Sequence, residues 1–501
     1  MASSVFRTKS VEQSIEDTDE PDTKLRRELS TWDLIVFGVA VVVGAGIFTL
    51  AASTAGTTAG PSVSLAFVIA AIACGLAALC YAEFASTVPV AGSAYTFSYA
   101  TFGELIAWII GWDLVLEFAV GSAVVSKSWS KYLHEVLVLV GLDVPTSVPL
   151  GGFFAFDWGA LLLVAVLGTL LALGTKLSSR VSAVFTVIKV LIVVLVVVVG
   201  IAYVKAENYS PFIPPAATGD EGDSGFGQSL VSLFGGGASS TFGIYGLLAA
   251  ASLVFFAFIG FDVVATTAEE TKNPQKSLPR GIFGSLAIVT VLYVAVALVL
   301  TGMVSYTRLD ENSTLATAFS ELGVDWAAAI IAIGALIGLT TVVMVLMLGQ
   351  IRVLFAMSRD GLLPGGLART GGNGTPVRAT ILVATVVGVV ATFFPAGTLE
   401  EMVNIGTLFA FVLVSVGVII LRRTRPDLPR AFRTPLVPLV PILAVLACLW
   451  LMLNLSVETW LRFLGWMVVG FVVYFAYGRS HSKVGRREAE HTGGPRGHPP
   501  T

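Results

Sequence analysis

Residues Leu34 to Thr57 form a 24-residue stretch without a charged side chain. A stretch this long and apolar reads as a helix crossing the roughly 30 Å hydrocarbon core of a bilayer. Further apolar runs follow along most of the chain. Of its 501 residues 55% are hydrophobic and only 13% are charged, whereas soluble domains carry about 25% charged residues. There is too little polar surface here for a water-soluble globule, and the expected class is an all-α integral membrane protein.

Runs bounded by charge, glycine and proline predict about twelve membrane helices. They fall at 31–57, 61–87, 102–135, 157–175, 178–206 and 242–270, then at 279–305, 325–358, 377–396, 400–421, 434–456 and 459–478. Runs three, six and eight are long, which predicts tilt or interruption. The organisation expected is a cytoplasmic tail (1–30), five helices (31–206), an outer loop (207–241), five helices (242–421), a last pair (422–478) and a disordered cytoplasmic tail (479–501). Lysine and arginine set the orientation. If the N-terminus is cytoplasmic, 24 of the 30 basic residues fall on that side, including Lys176, Lys272, Arg359 and Arg422. The first 30 residues lack the short apolar core and cleavage site of a signal peptide. A net charge of −3 gives no reason to expect nucleic acid as a partner. Cys74, Cys80 and Cys448 lie inside apolar runs and predict no disulfide framework. His134 lies near the outer surface and His481, His491 and His498 in the tail, so no metal-ligand pattern is expected in the membrane.

Within run one, VGAGIF places Gly44 and Gly46 where glycine weakens a helix. One reading is packing, because small residues let membrane helices approach closely. The other is a break that frees backbone N–H groups at a half-helix N-terminus, a ready anion site. Irregular backbone at that depth is tolerated where it lines a cavity. A dinucleotide fingerprint is excluded, since Thr49 stands where the third glycine belongs. Run six supplies a matching interruption: Gly260 cuts the aromatic run FFAFIGFD, followed at depth by Asp262. Paired interruptions five runs apart are the pattern of inverted-repeat transporters, which favours the break.

An ionisable residue within the membrane costs about 2.5–3.5 kcal/mol on insertion scales and needs a reason. Lys189 sits in the middle of run five as either a proton acceptor or a permanent cation bracing its neighbours. Asp113 and Glu117 share a face of run three, with Glu117 the deeper. Lys127 and Lys131 lie nearer the outer end and read as rim residues. Glu83 closes run two at the cytoplasmic side, as a gate or as a structural ion pair.

Several stretches resemble the amino acid–polyamine–organocation transporters, and within them the bacterial type of the cationic amino acid transporter branch. They are GAGIF in run one, YAEFASTVPVAGSAYTFSYATFGE after run two and GWDLVLEF in run three. FIGFDVVATTAEETKNPQKSLPRGI through run six and RVLFAMSRDGLLP after run eight complete the match. The resemblance implies a LeuT-like five-plus-five inverted repeat with helices one and six broken, and substrate held between runs one, three, six and eight. From Val42 and Gly44 onward, amides around Ala45, Gly46 and Ile47 would hold the α-carboxylate. Carbonyls around Phe256, Ala257 and Ile259, beside Gly260, would accept the α-ammonium, with Phe256 or Phe258 as an aromatic lid. Leu339 in run eight is expected to face the side-chain pocket. Lys189 falls where sodium-coupled cousins bind sodium, which favours proton symport with this lysine gating the link between runs one and eight. Glu117 would couple protonation to substrate, while Glu83, Asp113 and Asp262 are gating or structural. The function implied is proton-coupled symport of L-amino acids, cationic or small neutral, by alternating access. Exchange is the alternative, and a non-transporting sensor on the same fold a more distant one. No enzyme activity and no cofactor beyond the driving proton gradient are expected. The partners are the amino acid, the bilayer and, in such a family, a small single-span subunit; the expected location is the plasma membrane with both termini cytoplasmic.

Overall fold

The computed structural model describes residues 29–87, 93–151, 154–174, 179–216, 227–234, 241–264, 267, 271–371 and 375–486. Ser30 starts the first helix: its hydroxyl accepts the Asp33 N–H, and the Asp33 carboxylate accepts the Ser30 N–H at 2.8 Å. This capping box satisfies two otherwise free donors and opens α1 (Thr31–Val42). The helix stops at Val43, whose ψ of 92° is extended. The chain then re-enters helical geometry as a π-turn (Gly46–Leu50), a short α-turn (Ala51–Thr54) and a second π-turn (Ala55–Ala59). Wide turns of this kind concentrate at functional sites.

The first half continues with α2 (Val63–Thr87), α3 (Ser93–Thr101) and the 36-residue α4 (Glu104–Leu139). A hairpin of β1 (Ser147–Gly151) and β2 (Phe154–Asp157) precedes α5 (Trp158–Ala172) and α6 (Ser179–Gly200). The second half opens on α7 (Gly243–Val254), a 3-10 segment (Phe255–Phe258) and Gly260 at φ +110°. Then come α8 (Pro274–Met303), α9 (Asp325–Arg359), α10 (Val377–Phe393), α11 (Ala396–Thr424), α12 (Leu439–Leu453) and α13 (Val457–Val473). Among the described residues, eight helical runs are long and apolar enough to cross a membrane, and α1, α5, α10 and α12 are shorter apolar helices.

Polarity runs opposite to that of a soluble protein. Leu191, Val198, Val291 and Val472 expose 60–70% of their surface, while Asp113, Glu117, Lys189 and Asn404 are buried. Large apolar side chains outside and ionisable ones inside suit a lipid solvent, so the chain is a multi-pass membrane protein. At the centre α9 lies along α4, α8 packs on α1 and α2, and α11 closes against α4. Small residues allow the close crossings, as where Gly168 of α5 meets Ala384 of α10.

The connection after run three, to which the sequence reading assigns no element, is a two-stranded hairpin, because Val148, Leu150, Phe154 and Phe156 alternate with smaller residues at the period of a strand. Other expectations need correction. Runs three and eight are continuous helices, so of tilt and interruption it is interruption that fails for them. The C-terminal tail begins as a helical turn (Arg479–His481), and the Ser482 hydroxyl donates to buried Glu104, so its start is ordered. The outer loop also carries structure, a 3-10 turn (Ala206–Tyr209) and a short helix (Leu230–Phe234). Residues 1–28 and 487–501, expected to be disordered tails, lie outside the described residues.

Candidate substrate site

The break in run one leaves backbone groups without helical partners, and neighbouring helices take several of them. The Tyr293 hydroxyl of α8 donates to the Val42 carbonyl at 2.7 Å, and Tyr132 of α4 donates to the Phe48 carbonyl at 2.5 Å. The Phe48 N–H reaches back to the Gly44 carbonyl at 3.4 Å. The amides of Ala45, Gly46 and Ile47 stand at the start of the re-entering segment, the position whose donors have no acceptor one turn earlier.

The two breaks touch. A Cβ on Gly46 would overlap the backbone and side chain of Ala257, in the 3-10 segment that follows α7. Gly260 has the left-handed backbone that favours glycine, and a Cβ there would lie 2.7 Å from Val41 Cγ1. Packing and breakage are therefore not alternatives at these glycines. Gly46 permits the crossing that brings the interruption of run six against the interruption of run one.

A small cavity opens at this crossing. Gly44, Ala45 and Gly46 form one side, and Phe256 and Ile259 the adjoining one. Helix α4 presents Glu117, Gly121 and Val125 at intervals of four, a single helical face. Val342 and Leu346 of α9 and Val403 of α11 complete the wall, and Val41 and Val42 border it. Glu117 is the only charged side chain in this lining; the rest is aliphatic apart from Phe256.

Several expected site residues lie elsewhere. Leu339 is fully buried and lines no part of the cavity, because α9 turns Val342 and Leu346 inward. Phe258 packs between Phe67 and Tyr293, with ring centroids at 6.2 and 5.3 Å, so Phe256 alone of the two lines the cavity. Ile47, Ala257 and Gly260 also lie behind the lining, where they hold the breaks together.

Lys189 donates to the Ala40 carbonyl in the last turn of α1. Its stem lies across Gly338 of α9, where a Cβ would sit 2.6 Å from Cγ and Cδ. One side chain thus joins α6, α1 and α9. Asp113 is fully buried against α11, where a Cβ on Gly406 would come 2.8 Å from its Oδ1. Asp262 is buried just past Gly260 and, like Asp113, is not in the lining.

Glu83 stands in an ion pair. Arg422 donates to both its oxygens at 2.9 and 2.7 Å, the Thr434 N–H adds a bond at 2.7 Å, and Arg430 approaches to 3.4 Å. The carboxylate therefore fastens the connection after α11 to the end of α2. Arg422→Ala is expected to cost about 3 kcal/mol, since it leaves a buried carboxylate with the Thr434 N–H and a more distant Arg430 as its partners. A detergent thermal melt of the variant checks this, and an unchanged midpoint would count against it.

Two further residues carry signals not read from the sequence. Asn404 of α11 donates to the Ser252 and Leu253 carbonyls at 2.9 and 3.3 Å, capping the end of α7 where run six unwinds. Tyr293 does the same for run one. Tyr293 is a polar group within an apolar run, and Asn404 follows Glu400 and Glu401 into the apolar part of α11, which is the signal that was available. Val342, Leu346 and Val403 offered none, being aliphatic residues among many.

Membrane helices enclosing a cavity at two facing backbone breaks have the architecture of a membrane permease. The pattern of the amino acid permease family matches residues 29–476, and the chain belongs to that family, within the amino acid–polyamine–organocation superfamily. It is 44% identical to the branched-chain amino acid permease BcaP of Bacillus subtilis (strain 168), over 97% of this chain and 100% of that one. It is 41% identical to the methylthioribose transporter of the same organism, again over 97% and 100%. The vacuolar cationic amino acid transporter 4 of Arabidopsis thaliana is 35% identical over 85% of this chain and 68% of its own.

Proposed function

We propose that the protein is a secondary active transporter that carries aliphatic L-amino acids together with protons across the plasma membrane. The observation that supports this best is the lining of the cavity. The amides of Ala45 and Gly46, which line the cavity, suit an α-carboxylate, and the unwound backbone near Phe256 suits an α-ammonium. The wall of Val125, Ile259, Val342, Leu346 and Val403 suits a branched apolar side chain. A lysine or arginine side chain would bury its charge against that wall with Glu117 as its one acidic partner, which costs more than it returns. The relative at 44% identity, a branched-chain amino acid permease, points the same way.

In this reading twelve helices form a LeuT-like five-plus-five inverted repeat (31–206 and 242–421) followed by a final pair (422–478), with both termini cytoplasmic. Glu117 carries the coupled proton at the cavity, and Lys189 ties the broken helix to α6 and α9 during alternating access. Uptake into proteoliposomes tests this. An inward proton gradient is expected to drive accumulation of leucine, isoleucine and valine, with arginine and methylthioribose as comparisons. Failure of the gradient to stimulate uptake would sink the coupling; arginine or methylthioribose outcompeting leucine would sink the substrate class. Glu117→Gln is expected to abolish gradient-driven accumulation and flatten the pH profile of uptake, with exchange of internal for external leucine retained. Wild-type pH dependence in this variant would remove Glu117 from the coupling.

A further inference from the structure

Helices α5 and α10 contain 15 and 17 residues, about 22 and 25 Å at 1.5 Å per residue. A hydrocarbon core is about 30 Å thick. The two helices pack against each other, so the shortfall falls at one place on the bundle. At that place, past the end of α4 opposite Glu104 and its partner Ser482, stands the β1–β2 hairpin. Phe154 meets Phe394 edge-on at 5.8 Å and Phe156 meets Phe393 at 6.1 Å, just where α10 ends.

The hairpin is two-faced. Val148 pairs with Phe156, and past a bulge at Leu150 the chain pairs Gly151 with Phe154, two residues along from Phe156 on the same side. The other face carries Ser147, Pro149 and Ala155. Leu150 exposes 59% and Phe154 49% of their surface. This apolar face continues the exposed apolar surface of α5 at Leu161, Leu162 and Val166. The hairpin is also fixed in place. Asp157 pairs with Lys127 at 3.4 Å and accepts the Ser130 hydroxyl at 2.6 Å, while the Trp158 indole donates to the Pro145 carbonyl at 3.0 Å.

We infer that this hairpin is an interfacial membrane anchor. It lies at the boundary of headgroups and acyl chains, its Val148–Leu150–Phe154 face against lipid, and makes up the apolar thickness that α5 and α10 lack. A two-stranded ribbon has open edges, which the hydrocarbon interior does not tolerate but the hydrated interface does. The occupant is lipid because the face continues a lipid-facing surface and caps two helices too short to span alone. The anchor does not depend on which solute the protein carries.

Nitroxide labelling of the full chain in phosphatidylcholine proteoliposomes tests it. Cys74, Cys80 and Cys448 are buried, so Leu150→Cys or Val148→Cys directs the label, with the unsubstituted protein as control. Lipid-soluble oxygen is expected to relax the label several-fold more than a water-soluble nickel chelate, and Ser147→Cys on the opposite face should reverse that preference. A nickel preference at both Leu150→Cys and Val148→Cys would make the hairpin an aqueous loop and overturn the inference. Protection from both reagents would also overturn it, with dipolar broadening identifying a second copy of this chain as the cover. If one variant fails to reconstitute, the other carries the same readout.

Discussion

Gly46→Ala is expected to reduce uptake roughly thirtyfold, from about 2 kcal/mol of overpacking at the crossing of the two broken helices. A Cβ at this position overlaps Ala257, including its backbone, so no side-chain rotation relieves it. The chain must instead part runs one and six where they form the cavity. Ala257→Gly in the same molecule removes only the colliding Cβ and leaves the Cα in collision with the new methyl, so it is expected to restore little of the uptake. Gly44→Ala provides the comparison, because its Cβ would meet only Val342, at 3.4 Å and beyond. Equal losses from Gly46→Ala and Gly44→Ala, or full rescue by Ala257→Gly, would show that the close approach of the two backbones is not what transport requires.

The second large effect is expected at Lys189. Lys189→Met preserves the apolar stem that lies across Gly338 and removes only the donor to Ala40. Loss of a buried hydrogen bond from a charged group is worth about 1.5–3 kcal/mol, or roughly ten- to a hundredfold in rate. Uptake should fall by that factor, whereas stabilisation of the purified protein by leucine should be partly retained, because Lys189 touches the end of α1 and not the cavity lining. Lys189→Ala should do the same with an added loss of thermal stability, since it also empties the space against Gly338. Full uptake by Lys189→Met would remove the lysine from the transport cycle.

Much of the site was legible as chemistry that breaks a rule of membrane helices. Gly44 and Gly46 interrupt an uncharged run, Gly260 interrupts another, and Glu117 and Lys189 place charge where insertion penalises it. Each violation stands out against a uniform apolar background, and four of these five residues lie at or beside the cavity or the breaks. The fifth, Lys189, reaches the break through the last turn of α1. The aliphatic wall was not legible. Leu339 and Val342 are both apolar members of one apolar helix, and which of them faces the cavity depends on the rotation of α9 against α4 and α6. Phe256 and Phe258 differ likewise only in what surrounds them, since Phe67 and Tyr293 take up Phe258. The hairpin was missed for another reason. Its alternation spans only a few residues beside long runs of far stronger helical hydrophobicity.

The sequence by itself determined that this chain lives in lipid, where its apolar runs begin and end, and where its helices break. Those properties are local: the transfer of apolar side chains and the backbone freedom of glycine act over one helix or less. Only the tertiary structure decided which apolar residues line the cavity, that Gly46 is needed for the crossing with Ala257, and that Glu83 is held by Arg422. In a membrane interior both lipid-facing and cavity-facing positions are apolar, so hydrophobicity does not distinguish them. The distinction comes from how each helix is rotated and pressed against its neighbours.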